Sequence, residues 1–197
     1  MKRIIIDTDP GIDDAAAILL ALASPELSVD AVTTVFGNGP VDRCTANASR
    51  VLLAAGRTDI PVYQGAAKPL VRPPNAGWAL HIHGDDALGN TGFPLPAETP
   101  QPGETRHAAL ELVDRVMASP GEITIVALGR LTNVALALSL GLPKAWLVSS
   151  LWGERYTCRV TSPQWRRPTY TKTRRRRPSC TPPELPWPRS GWTFATW

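Results

Sequence analysis

KRIIIDTDPGIDDAAAILLALA, residues 2–23, decides how the rest of this chain is read. Lys2 to Asp7 has the apolar run of a buried strand, while Ala15 to Ala23 has high helix propensity and stops before Pro25. Between them Pro10 and Gly11 predict a sharp turn. A strand passing through a tight turn into a helix opens many α/β sheets, where ligands bind in the crevice outside the carboxyl ends of the strands. Four carboxylates crowd into this stretch: Asp7, Asp9, Asp13 and Asp14. Like charges in contact repel strongly at low dielectric, so packed carboxylates either take up protons or surround a cation, and hard oxygen ligands favour calcium or magnesium. Asp13 and Asp14 fall at or near the helix N-terminus, where the dipole favours negative charge. Capping accounts for one or two acids, but not for Asp7 and Asp9 upstream.

The alternation continues along the chain. A second apolar strand spans Leu27 to Val35, a helix lies near Asp42 to Ala55, and a short strand lies near Ile60 to Tyr63. A Pro/Gly-rich loop from Gly65 to Gly103 follows, then a helix near Arg106 to Ala118, a strand at Ile123 to Ala127 and a helix from Leu131. This order predicts an α/β fold with an open, mostly parallel sheet and helices on both faces. The loop exceeds ordinary connections, which marks it as functional or disordered, and it carries His81 and His83.

DTDPGIDD followed by AAAILLALA resembles the signature of the inosine-uridine type nucleoside hydrolases. Further matches follow in order: Asn38 in VFGN, His83 in HGDDALGN, and ITIVALGRLTNVALAL from Ile123 to Leu138. The resemblance covers residues 1 to about 143, with two departures: Arg130 replaces the usual proline, and Asp86-Ala87 stands where Asp-Gly is common. It implies hydrolysis of the N-glycosidic bond of ribonucleosides to ribose and free base. Carried over, Asp9, Asp14 and the backbone carbonyl of Leu128 would bind Ca2+, and Asp13 and Asn38 would hold the ribose hydroxyls. Asp9 would also draw a proton from a calcium-bound water that attacks the anomeric carbon. The carboxylate cluster would stabilise the oxocarbenium-like transition state more than the neutral substrate. His83, which alone reads as a solvated loop histidine, would protonate the departing base; His81 and His107 read as structural or surface residues.

Near Ala145 the composition changes. Residues 151–197 hold ten Lys or Arg against Glu154 and Glu184, a charge of +8 in a chain of +4, so residues 1–150 carry −4. Seven prolines between Pro163 and Pro188 and the lack of apolar periodicity exclude a useful helix or strand there. Arg174 to Arg177 with Trp165, Trp187, Trp192 and Trp197 suit a nucleic-acid-binding tail. Arginine and tryptophan excess is also what GC-rich DNA gives out of frame. Rebuilding each codon from the last base of one and the first two of the next, starting at Leu151, gives MGGAVHVPGNVTPVAEANIYKDPEAAAIV and onward, which resembles the family's continuation. We therefore expect residues 1–144 to be the N-terminal part of a nucleoside hydrolase-like domain and 145–197 an aberrant, disordered tail from a frameshift between Pro143 and Leu151. Made as written, the chain is truncated: it lacks the family's late calcium-binding Asp and neighbouring His, and is expected to be inactive and to aggregate or be degraded.

No run of 18 apolar residues and no signal peptide occur in the sequence, so a cytoplasmic location is expected, with no membrane partner. Cys44, Cys158 and Cys180 form no metal or disulfide spacing, and no Gly-rich phosphate loop is present. The expected partner is a small ribonucleoside rather than nucleic acid, and a homo-oligomer is expected for a full-length family member. Two readings compete. The hhhDxD start also begins phosphatases of the haloacid dehalogenase type, with Asp7 as nucleophile and Asp9 as acid/base, although Pro10-Gly11 replaces their usual Gly-Thr. A non-catalytic, basic-tailed nucleic-acid binder is the other.

Overall fold

The computed structural model describes residues 1–71, 77–95, 106–142 and 148–150. All belong to one unit, Met1–Pro163. The Arg/Trp/Pro-rich stretch read as out of frame, 151–197, lies outside the described residues.

Among the described residues the elements follow in the order β1 (Lys2–Thr8), α1 (Ile12–Ala23), β2 (Leu27–Thr34), α2 (Val41–Ala54), β3 (Val62–Gln64), α3 (Leu80–His83), α4 (Ala108–Ala118), β4 (Ile123–Ala127), α5 (Thr132–Ser139) and β5 (Val148–Ser150). The strands form one sheet in the order β3-β2-β1-β4-β5, and every neighbouring pair is parallel. A parallel pair needs a crossover, and crossovers in one sheet are right-handed. Chain order runs outward from β1 to β3, then returns to β4 on the other side of β1. Helices consequently cover both faces.

The side chains of β1 show this directly. Ile4 and Ile6 pack with Ile18 of α1 and with Val51 and Leu52 of α2, whereas Ile5 packs with Leu112 and Val116 of α4 and Val134 and Ala137 of α5. Burial on both faces is why the strand reads as an apolar run rather than an alternation. Ile5, Ile6 and Ile18 are almost wholly excluded from solvent, each worth about 1.5–3 kcal/mol of transfer free energy. The point where chain order reverses lies between β1 and β4, and there a crevice opens at the strands' carboxyl ends.

Several element bounds differ from expectation for local reasons. Helix α1 begins at Ile12, three residues before the alanine run, so Asp13 and Asp14 occupy its first turn. Strand β3 begins at Val62 rather than Ile60, because Pro61 has no N–H to give; its carbonyl accepts from Val32 instead. Helix α4 starts at Ala108 because His107 caps it, its Nδ1 accepting from the Ala109 N–H at 3.1 Å. Within the long loop lies α3, which the sequence did not suggest: four residues carry no helical period. Strand β5 extends the sheet past the expected boundary at 144/145, since Val148–Ser150 pair with Ile125–Ala127. Among the described residues no helix is long and apolar enough to cross a membrane.

Candidate active site

Beyond Thr8 the chain leaves β1 and turns through Asp9, Pro10 and Gly11 into α1. The turn is held by its own polar groups. The Thr8 hydroxyl donates to Asp14 Oδ1 at 2.8 Å, and the Gly11 N–H donates to Asp14 Oδ2 at 3.1 Å, so Asp14 caps the helix it sits on. Asn38, just after β2, joins the two acids. Its backbone N–H donates to Asp9 Oδ2 at 2.8 Å, and its Nδ2 donates to the Asp9 carbonyl at 2.9 Å and to Asp14 Oδ2 at 3.2 Å.

Asp9 is further fixed by what surrounds it. A Cβ added at Gly37 would lie 1.7 Å from Asp9 Oδ2, and one at Gly129 would lie 2.6 Å from Asp9 Oδ1. Both glycines are therefore required by close approach. From β4 the chain runs into Leu128 and Gly129, whose N–H groups donate to the Asp7 carbonyl at 2.7 and 3.2 Å and so lock the ends of β1 and β4 together. Asp9, Asp13, Asp14, Asn38, His83 and Leu128 all line one cleft of about 650 Å³, within the range of small-molecule sites. Trp78, Ile82 and Arg130 add to its walls.

His83 closes the cleft at the start of α1. It is buried; its Nδ1 accepts from the Ile12 N–H at 3.3 Å and lies 4.0 Å from Asp13 Oδ1. A neutral imidazole that accepts at Nδ1 carries its proton on Nε2. Asp13 keeps a side chain 42% exposed, free to meet a ligand.

Electrostatics follow from this crowding. Burial first, and the Asp14 charge second, push Asp9 up to about 7, against the opposing pull of the Asn38 N–H. Burial likewise raises Asp14, with the Thr8 and Gly11 donors working against it. Two buried acids that resist ionising together suit a cation, which the oxygens of Asp9 and Asp14 could hold, with Leu128 lining the same cleft. Among the described residues no group of three or more His, Cys, Asp or Glu side chains is arranged to hold a metal ion.

Asp7 departs from the expected cluster. Alternation along β1 places it on the face of Ile5, away from Thr8 and Asp14, and there Oδ1 accepts from the Thr33 hydroxyl at 2.6 Å and from Asn133 Nδ2 at 2.8 Å, whereas Asp9 lies past the strand's end. Its Oδ2 has no partner among the described residues, and burial pushes the group up to about 6. With no exposed surface and no place in the cleft, Asp7 is unsuited to be a phosphatase nucleophile. Its partner Asn133 was not singled out by sequence; a lone Asn early in an apolar helix was the available signal. The glycines of VFGN and ALGR were the signals for Gly37 and Gly129.

The sequence model of the inosine-uridine preferring nucleoside hydrolase family matches residues 4–145. A probable uridine nucleosidase from Arabidopsis thaliana is 50% identical over 71% of this chain and 42% of its own length. An inosine-uridine preferring nucleoside hydrolase from Leishmania major is 44% identical over 71% of this chain and 43% of its own. Among solved structures, a plant nucleoside hydrolase superposes with a TM-score of 0.65 at 49% identity, covering 71% of this chain and 43% of that one. An inosine-guanosine nucleoside hydrolase gives a TM-score of 0.67 at 36% identity, covering 78% and 50%. The chain thus spans under half the length of these curated relatives.

Proposed function

The chain belongs to the inosine-uridine preferring nucleoside hydrolase family, and on that premise we propose that the protein hydrolyses the N-glycosidic bond of ribonucleosides, with Ca2+ held by Asp9, Asp14 and the Leu128 carbonyl. One observation carries the reading: Asp9 is seated between Gly37 and Gly129, clamped by Asn38 and set beside Asp14, at the reversal point of the sheet.

Each residue has a chemical task. Asp9 Oδ2 is engaged by the Asn38 N–H, which leaves Oδ1 to take the proton of the attacking water. Calcium, when bound, supplies polarisation of that water and an anchor for the sugar. Asp13 at the rim accepts from ribose hydroxyls, and Asn38, whose donors are spent on Asp9 and Asp14, offers its Oδ1 to the same sugar. The carboxylates stabilise the positive charge that develops at the anomeric carbon. His83, with Nδ1 taken by the Ile12 N–H, keeps Nε2–H as its donor to the leaving base. A cytoplasmic location and a homo-oligomeric assembly belong to this proposal.

We also hold that residues 145–197 are an aberrant tail read out of frame from a shift between Pro143 and Leu151; the change of composition beside the end of the family match at residue 145 supports this. Resequencing the coding DNA across Pro143 to Tyr156 tests it, and the same sequence from an independent template overturns it. Activity is tested by product analysis with calcium on the protein from the verified gene. Free base and ribose from uridine or inosine support the reading; phosphate from a phosphomonoester, with no nucleoside cleaved, refutes it.

A further inference from the structure

Arg130 is the one Lys or Arg among the described residues lining the cleft with Asp9, Asp13 and Asp14. It follows Leu128 and Gly129, the backbone that packs against Asp9, and its guanidinium carbon sits 5.2 Å from the centroid of the Phe36 ring. That contact gives an otherwise exposed side chain a resting place at the cleft, because a guanidinium over an aromatic face is attracted by the ring quadrupole.

We propose that Arg130, held over Phe36 at the wall of the acidic cleft, acts as a built-in counter-charge that sets how tightly this chain's site takes a divalent cation. The inference rests on the cation site proposed above. The guanidinium repels a cation held by Asp9 and Asp14, and because Coulomb energy scales with the product of charges, its action on a doubly charged ion is about twice that on a single charge at the same separation. Exposure to solvent screens the interaction and keeps it modest.

Terbium(III) luminescence sensitised by Trp78, which lines the same cleft, reads binding without any turnover, and calcium affinity follows by displacement. At about pH 8 the protein from the verified gene carrying Arg130→Gln is expected to bind calcium roughly three- to tenfold more tightly than the unaltered protein. Terbium, with its greater charge, is expected to gain more than calcium. Arg130→Lys keeps the charge and is expected to stay near the unaltered affinity. Added salt is expected to narrow the Arg130→Gln difference, which a purely structural role for Arg130 does not predict. If the unaltered chain binds but Arg130→Gln is equal or weaker, this inference is overturned while the cation site stands. If neither protein takes up calcium or terbium, the cation site itself is refuted, and the inference falls with it.

Discussion

Asn133→Ala is expected to weaken the fold severely without touching the cleft. Asn133 is fully buried in α5; its Nδ2 donates to Asp7 Oδ1 at 2.8 Å and to the Thr34 carbonyl at 2.9 Å, and its Oδ1 accepts from the Ala66 N–H at 2.9 Å. One amide therefore fastens β1, β2 and the segment after β3 to α5. Alanine leaves all three partners in place and takes away their bonds. A buried group stripped of its partner costs about 1–3 kcal/mol, with charged groups at the upper end, which sums to about 4–6 kcal/mol. Against a typical total of about 5–15 kcal/mol this is a large share. At a urea m-value of about 2 kcal/mol/M the midpoint would fall by about 2–3 M, measured by circular dichroism. Asn133→Asp separates the electrostatic part. It keeps the acceptor for Ala66 but sets two carboxylates face to face, so its deficit should grow from about pH 5 to about pH 8 as the shared proton is lost. A loss below about 1 kcal/mol for Asn133→Ala, or an Asn133→Asp deficit independent of pH, would show that this network does not hold the sheet together.

Further outcomes follow from the site itself. Gly37→Ala must displace Asp9, whose Oδ2 lies 1.7 Å from the new Cβ; calcium uptake should be lost, and retention of normal affinity in a terbium titration would contradict the packing described. In chelator, stability should fall as pH rises. Asp9 titrates at about 7 and Asp7 at about 6 in the folded chain, against roughly 3.9 unfolded. The folded state then keeps protons that the unfolded state has released, a contribution fully present below about pH 4 and lost through about pH 6 to 7. His107, lowered by burial, acts in the opposite sense and blunts the trend. Calcium should restore stability at about pH 8, and chelator-treated protein equally stable to urea at about pH 5 and about pH 8 would count against the acid pair. Asp9→Asn, which keeps the shape but removes the base, should lower nucleoside turnover by roughly 10²- to 10⁴-fold; near-normal turnover would move the base elsewhere.

Legibility in the sequence followed the strength of local signals. β1 and α1 stand out because an apolar run ends at a Pro-Gly turn and an alanine-rich helix begins, and both faces of the strand are buried. The same turn chemistry located Asp9, Asp13 and Asp14, and the structure brings them to one cleft with Asn38, Leu128 and His83. Asp7 illustrates the limit: proximity in sequence suggested a shared cluster, but alternation along the strand sent its carboxylate to the far face. Short helix α3 has no period to detect, and contacts such as Asn133 with Asp7 join residues 126 positions apart. At Asp86-Ala87 the structure shows why Asp-Gly is the common pair and what the alanine costs. Ala87 is buried with φ +60°, in the left-handed region that glycine enters freely and that costs an L-residue about 1–2 kcal/mol.

The two walls of the cleft differ in when they become available to a chain emerging from the ribosome. Asp9, Asp14 and Asn38 bond to one another within 29 residues of sequence, so the acid clamp closes a short loop and forms cheaply once β2 has appeared. Leu128 and Gly129 dock onto β1 only after the long excursion through α4 and β4, when Arg3 to Asp7 find Ile123 to Ala127. For most of synthesis Asp9 and Asp14 therefore face each other without their second wall. An ion captured then would be held by half a site, and secure retention waits on the slowest, most distant strand pairing in the described sheet.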